Sequence, residues 1–129
     1  MSTAQQSALH SITNLLQQEA ERIRACEQEA EEILFTKQDN LGYKKKLLDK
    51  TEILMHLPGL VQELEEDLGP ELAQRIRSRL QGFAQRAAQA EEVDSVFFMR
   101  QLLYPEDYTP GQPNDLEEFI QSLINSKKG

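Results

Sequence analysis

The sequence predicts an all-α fold, a helical bundle of four to five helices of which two are long. Apolar residues recur at spacings of three and four over two stretches, about residues 4–36 and 70–92, as in helices with one buried face. The chain of 129 residues has only six glycines, no tryptophan and abundant glutamine, a mixture that favours helix formers over strand formers. Proline, glycine and asparagine fall between the apolar stretches, where helices end.

The first helix is predicted by a seam of apolar residues and can be capped by Ser2 or Thr3. Glu19 interrupts the seam, with Ala20 beside it, so the pattern indicates a helix of a bundle rather than a long coiled coil. Residues 38–42 read as a turn because they contain Asp, Asn and Gly. The residues of the seam are Leu9, Ile12, Leu16, Ile23, Cys26, Ala30 and Ile33.

Two proline–glycine signals divide the middle of the chain. A second helix is predicted over residues 43–57, and Pro58 with Gly59 interrupts it and begins a short helix that ends at Leu68. Gly69 and Pro70 give a second such signal: Gly69 ends the short helix and Pro70 begins the second long helix. Helical structure is expected to continue toward residue 103 with a break at residues 94–95. The apolar face of the second long helix is Leu72, Ala73, Ile76, Leu80, Phe83, Ala87 and Ala90.

The C-terminal part predicts a linker followed by an amphipathic helix. Three prolines and a glycine between residues 104 and 114 favour a semi-extended spacer, and Asn114 with Glu117 gives a capping signal. We therefore divide the chain into a helical bundle at 1–104, a Pro-rich linker at 105–114 and a helix at 115–126. This helix either packs on the bundle or docks on a partner. Its candidate partner-binding residues are Leu116, Phe119, Ile120, Leu123 and Ile124.

Composition argues against several classes of partner. The chain has 22 acidic and 14 basic residues and a net charge of -8, which repels nucleic acid and anionic membranes. The single cysteine, Cys26, lies on the apolar seam and is expected to pack as a small hydrophobe. No apolar run is long enough to cross a bilayer, and residues 1–6 lack the pattern of a signal peptide. We expect a cytoplasmic protein.

Ligands for metals and cofactors are sparse in the sequence. Neither His10 nor His56 belongs to a Glu-x-x-His pair of the kind that binds di-iron centres. A proline two residues after His56 ends the predicted helix there, unlike the exposed helical histidine of phosphotransfer bundles. We therefore expect no metal site, no cofactor and no catalytic residue.

The most specific enzymatic pattern is a pair of acidic motifs. Glu63-x-x-Glu66 and Glu91-x-x-Asp94 resemble the paired carboxylates of the all-helical nucleoside triphosphate pyrophosphohydrolases similar to MazG. The resemblance implies that the four acids hold magnesium, a cation that prefers oxygen ligands. A magnesium-dependent hydrolase is thus an alternative function. Glu63 and Glu66, however, lie on the outward side of their predicted short helix, and Gly69 and Pro70 separate them from the other pair.

The leading hypothesis is a noncatalytic interaction protein, such as an adaptor, an export chaperone or an assembly subunit, that holds an amphipathic segment of a partner. The spacing of Leu9, Ile12, Leu16 and Glu19, with the later residues 46–48, resembles flagellar and type III export chaperones. A further alternative is a homo-oligomeric bundle, with a homodimer formed through the first helix. The expected partner is another protein or a second copy of the chain.

Overall fold

The computed structural model describes residues 1–126, and within them the chain forms five α-helices, one 3-10 helix and no β-strand. This confirms the predicted all-α helical bundle, in which the second helix, at 22 residues, is nearly as long as the third, at 23. None of the described helices is long and apolar enough to cross a membrane. The α-helices are α1 (Thr3–Lys37), α2 (Asn40–Val61), α3 (Pro70–Glu92), α4 (Val96–Gln101) and α5 (Asp115–Ser126), and the 3-10 helix is Gln62–Asp67.

The first helix begins and ends with local hydrogen bonds. The Ser2 hydroxyl accepts from the Gln5 N–H at 3.1 Å, and the Ser2 N–H donates to the Gln5 side chain at 2.9 Å, which is a capping box. The turn into α2 is shorter than the predicted residues 38–42, since α2 already begins at Asn40. Asp39 caps α2 by accepting from the Gly42 N–H at 2.9 Å, and a side chain at position 42 would collide with that carboxylate.

The predicted helix break at Pro58 and Gly59 is wrong, because α2 continues through both residues to Val61. Proline lacks the N–H that would bond to the carbonyl of Leu54, and this normally disfavours a helix interior. Leu57 and Val61 lie on either side of it and are fully buried, so packing favours a helical last turn. The expected short helix to Leu68 is replaced by the 3-10 helix.

Four helices form the bundle and alternate in direction. Helix α2 packs along α1 on one side and α3 on the other, while α5 packs on α1. The seam of α1 therefore lies inside the molecule, against α2 and α5. One core contains buried side chains from all four of these helices, among them Leu16, Leu54, Leu80 and Leu123.

One end of the bundle carries the α1–α2 turn and the α3–α4 turn, and we call it the turn end. Lys44 of α2 joins the two turns through an ion pair with Asp94, Nζ to Oδ1, at 2.7 Å. A second, smaller core lies near this end and is formed by Ala30, Leu47, Ala90 and Met99. The short helix α4 packs here and buries Met99 alone among its six residues.

Candidate functional site

Residues 102–114, which we call the strap, connect α4 to α5 and are fastened to α1 by Arg24. The Arg24 guanidinium donates to both carboxylate oxygens of Glu117, at 2.6 and 3.1 Å. It also donates to the Tyr104 hydroxyl at 3.2 Å, the Tyr108 hydroxyl at 3.4 Å and the Gln112 carbonyl at 3.2 Å. The Glu117 hydrogen bond raises the pKa of Arg24 further above its ordinary value. The strap is irregular in structure, as its composition predicts, but it is tied to the bundle.

The strap ends in the capping box that the sequence predicts. The Asn114 side chain accepts from the Glu117 N–H at 2.9 Å, and the Glu117 carboxylate accepts from the Asn114 N–H at 2.8 Å. Burial raises the pKa of Glu117, but Arg24 and the Asn114 N–H together outweigh it and leave that pKa below its ordinary value. Glu117 therefore links the cap of α5 to α1.

A fully buried lysine, Lys50 of α2, holds the other end of the strap. Its Nζ lies 2.8 Å from a Glu27 carboxylate oxygen and donates to the carbonyls of Arg100 at 3.2 Å and Leu102 at 3.0 Å. The Tyr104 ring centroid is 5.1 Å from the same nitrogen, and its hydroxyl donates to the other Glu27 oxygen at 2.5 Å. Burial lowers the pKa of Lys50, and Glu27 opposes this effect.

A cleft of about 590 Å³ lies over this polar cluster. Arg24 and Lys50 on its walls are committed to Glu117 and Glu27, and the Lys50 Nζ also donates to the carbonyls of Arg100 and Leu102. The cluster therefore fastens the strap across the bundle.

The turn end exposes large apolar side chains. On the α3–α4 side, Val93, Phe97 and Phe98 are 60%, 65% and 54% exposed, and on the α1–α2 side Phe35 and Leu41 are 77% and 81% exposed. The Phe97 and Phe98 rings meet edge to face with centroids 5.9 Å apart. A groove of about 560 Å³ runs beside Phe98. It is lined by residues of α3, α4, the strap and the start of α5, including Arg86, Ala90, Val93, Leu103, Pro105 and Asp115.

The five candidate partner-binding residues of α5 face the bundle in this structure. Leu116, Phe119, Ile120 and Leu123 are buried, and Ile124 packs partly buried against the same core. The Phe119 ring meets Phe83 edge to face at 6.5 Å. A partner would reach this face only if α5 left the bundle.

The structure does not bring together the two acidic pairs of the hydrolase resemblance. Glu63 and Glu66 precede α3, whereas Glu91 and Asp94 lie at its far end, and a helix of its length spans about 34 Å. Glu91 accepts a hydrogen bond from Thr51 at 2.5 Å, and Asp94 pairs with Lys44. Among residues 1–126, no group of three or more His, Cys, Asp and Glu side chains has the arrangement of a metal site.

Cys26 and His56 occupy ordinary structural positions. Cys26 is partly buried and packs on the core, and burial raises the pKa of its thiol, which makes it less reactive. His56 is exposed near the end of α2, and its Nδ1 lies 2.6 Å from the Glu52 carbonyl.

Sequence reasoning missed Arg24, Lys50 and the exposed phenylalanines. Lys50 lies three residues after Leu47 and four before Leu54, so it shares their buried face. That spacing is the signal by which the sequence could have indicated that Lys50 is buried. Phe97 and Phe98 are both exposed, because α4 turns Met99 to the core instead.

Comparisons with protein-family models, with curated proteins and with solved structures find no match to this chain.

Proposed function

We propose that this protein is a noncatalytic interaction module that holds an amphipathic segment of a partner protein at the turn end. One observation carries the proposal. Of the seven large apolar side chains that are exposed in residues 1–126, five lie at this end, and the other two are Met1 and Leu60. Scattered exposed apolar residues are common in proteins, but a concentration of them indicates an interaction surface.

The size of the apolar surface suits a helix-sized contact. A phenylalanine side chain buries about 150–250 Å² when covered, and three phenylalanines lie at the turn end. Together with Leu41 and Val93 they supply several hundred Å² of apolar area, against about 800 Å² per partner in a standard interface. An apolar stripe on a partner helix would cover them and gain roughly 25 cal/mol per Å² of apolar area buried.

The groove beside Phe98 supports an elongated occupant. Its lining combines apolar side chains with a few polar ones, such as Gln89 and Gln101, as expected of a groove that holds an amphipathic helix. The net charge of -8 supports a protein partner over nucleic acid. We place the module in the cytoplasm, where a lone thiol such as Cys26 stays reduced.

Site-specific photo-crosslinking tests the proposal. A photoreactive residue is placed at Phe97 and, as a matched control, at Leu60, which is exposed at the opposite end of α2. We expect position 97 to capture a specific protein in the native host. The captured protein, once purified, should bind the wild-type chain and lose most of its affinity for the double variant Phe97→Ser and Phe98→Ser.

The outcomes separate the alternatives. Both substituted residues are exposed, so melting of the double variant should match that of the wild type, and Leu60→Ser should keep full affinity. Capture of a second copy of the chain would support the homo-oligomer instead. Equal capture from positions 60 and 97, or unchanged binding by the double variant, would refute the proposed surface.

A further inference from the structure

The strap is longer than the closed fold requires. The Asp115 N–H donates to the Leu103 carbonyl at 2.9 Å, so the chain leaves the bundle and returns to it at nearly the same point. The eleven residues 104–114 between them would span about 36 Å when extended, whereas connections between the helices of a bundle usually have about two to eight residues. The strap therefore has more length than a single chain needs to bring α5 to its place.

The middle of the strap, residues 105–111, is its most exposed part, and we call it the hinge. Six of its seven residues are exposed, and Tyr108 is the exception. The hinge folds into two successive turns, each closed by one backbone hydrogen bond, to the Pro105 carbonyl at 3.0 Å and to the Thr109 carbonyl at 3.1 Å. Opening the hinge would therefore give up these two bonds and the contacts of one tyrosine side chain.

Beyond the hinge, α5 makes its contacts with parts of the bundle that precede the hinge in the sequence. Glu117 pairs with Arg24 of α1 at 2.6 Å, and the Phe119 ring meets Phe83 of α3. Arg75 of α3 donates to a serine hydroxyl of α5 at 3.0 Å. Because none of these groups belongs to the hinge, the α5 of a second copy would make the same contacts with this bundle.

We propose that two copies of this chain exchange α5 by opening their hinges, so that residues 112–126 of each copy pack on the bundle of the other. The Arg24–Glu117 ion pair then joins two chains, as does the hydrogen bond at the base of the strap. Each copy supplies the helix that completes the core of the other. The apolar face of α5 thus meets a partner without leaving any core uncovered, and the turn end takes no part in the exchange.

The exchange costs little because the same contacts form within one chain and between two. The closed monomer is favoured by the nearness of its own α5, which for a short flexible connection corresponds to an effective concentration of about a millimolar. Pro105 and Pro110 fit the extended polyproline conformation that an open hinge of about 23 Å requires. The dimer should therefore become substantial when the chain reaches about several hundred micromolar.

The mass of the full-length chain in solution is the first test. The chain is incubated at concentrations from about 10 μM to about 1 mM, and light scattering after size-exclusion chromatography gives the mass. We expect a monomer at the lower end and at least about one third dimer at the upper end. The double variant Phe97→Ser and Phe98→Ser, which removes the apolar surface of the turn end, should dimerise equally. A monomer at every concentration would refute the exchange.

Cutting the hinge distinguishes this dimer from any other. A protease recognition sequence is inserted between Glu106 and Asp107, which are both exposed, and a glycine–serine insert of the same length is the matched control. Cleavage of an exchanged dimer should halve its mass, because the two hinges are its covalent links between bundles, while the control stays dimeric. A dimer formed through the turn end or through α1 would keep its mass after cleavage, and that result would contradict the proposal.

Two charge-reversed variants give a test that needs no insertion. Arg24→Glu and Glu117→Arg each bring like charges together, so each alone should melt below the wild type. In an exchanged dimer with one copy of each variant, opposite charges meet at positions 24 and 117 of both bundles. The two variants, refolded together at high concentration, should therefore melt above either variant alone. A mixture that melts as the separate variants do would show that α5 stays with its own chain.

Discussion

At the residue scale, the unusual group is the buried ammonium of Lys50. Removing a charge from water costs several kcal/mol, which a protein recovers only through close partners. Lys50 has such partners in Glu27 and in the carbonyls of Arg100 and Leu102. The two carbonyls lie where α4 ends. The contacts that stabilise the buried charge of Lys50 therefore also hold the start of the strap in place.

Replacing Lys50 by methionine should destabilise the protein by about 2–4 kcal/mol, because Glu27 and two carbonyls lose their partner inside the fold. The measurement is the free energy of unfolding in urea. Lys46→Met is the matched control, because Lys46 pairs with Glu29 on the surface, and it should cost less than about 1 kcal/mol.

A double variant checks the explanation. Lys50→Met combined with Glu27→Leu removes both charges and should recover part of the lost stability. Equal effects of Lys50→Met and Lys46→Met would show that the buried pair has no special role.

At the element scale, local patterns located the long helices but not what holds the strap. Apolar spacing alone predicted α1 and α3 closely, since both bury one face along most of their length. The break expected at Pro58 did not occur because burial of the surrounding turn overrides the local preference of proline. Arg24 meets Tyr104 and Glu117, which lie 80 and 93 residues away, and contacts at such separations leave no periodic signal in the sequence.

Helix α5 should contribute substantially to stability. Phe119→Ala should cost about 3–5 kcal/mol, the usual range for removing a buried phenylalanine, since its ring lies in the core against Phe83. Thermal melting measures the loss, and Glu118→Ala, next to it but exposed, should leave melting nearly unchanged. Melting of Phe119→Ala at the wild-type temperature would mean that α5 is not stably docked in solution.

At the scale of the whole molecule, the length of α3 separates the two acidic pairs that the hydrolase alternative would need side by side. The 3-10 helix lies at the beginning of α3 and the turn end at its other extremity, so acids that look related in the sequence are separated by the length of a helix. Glu65, between Glu63 and Glu66, is buried and pairs with Arg77 at 2.8 Å. The sequence shows spacing along the chain but not this separation in space.

Magnesium should therefore leave the melting temperature unchanged at millimolar concentration, with or without a nucleoside triphosphate. The physical reason is that Glu63 and Glu66 cannot share a cation with Glu91 and Asp94 across α3. The comparison is melting in magnesium against melting in a chelator. An increase with magnesium that is lost in Glu63→Gln would favour the hydrolase alternative.

The fastening of the strap also affects how the chain acquires its fold during synthesis. Helices α1, α2 and α3 leave the ribosome before α5, and the core positions that receive Leu116 and Phe119 stay uncovered until α5 follows. Contacts such as Arg24–Glu117 close a loop of most of the chain, which is slow compared with forming a helix. A nascent chain that still lacks α5 thus exposes an apolar face that aggregation or chaperones can reach, and α5 covers that face of α1 once it has been made.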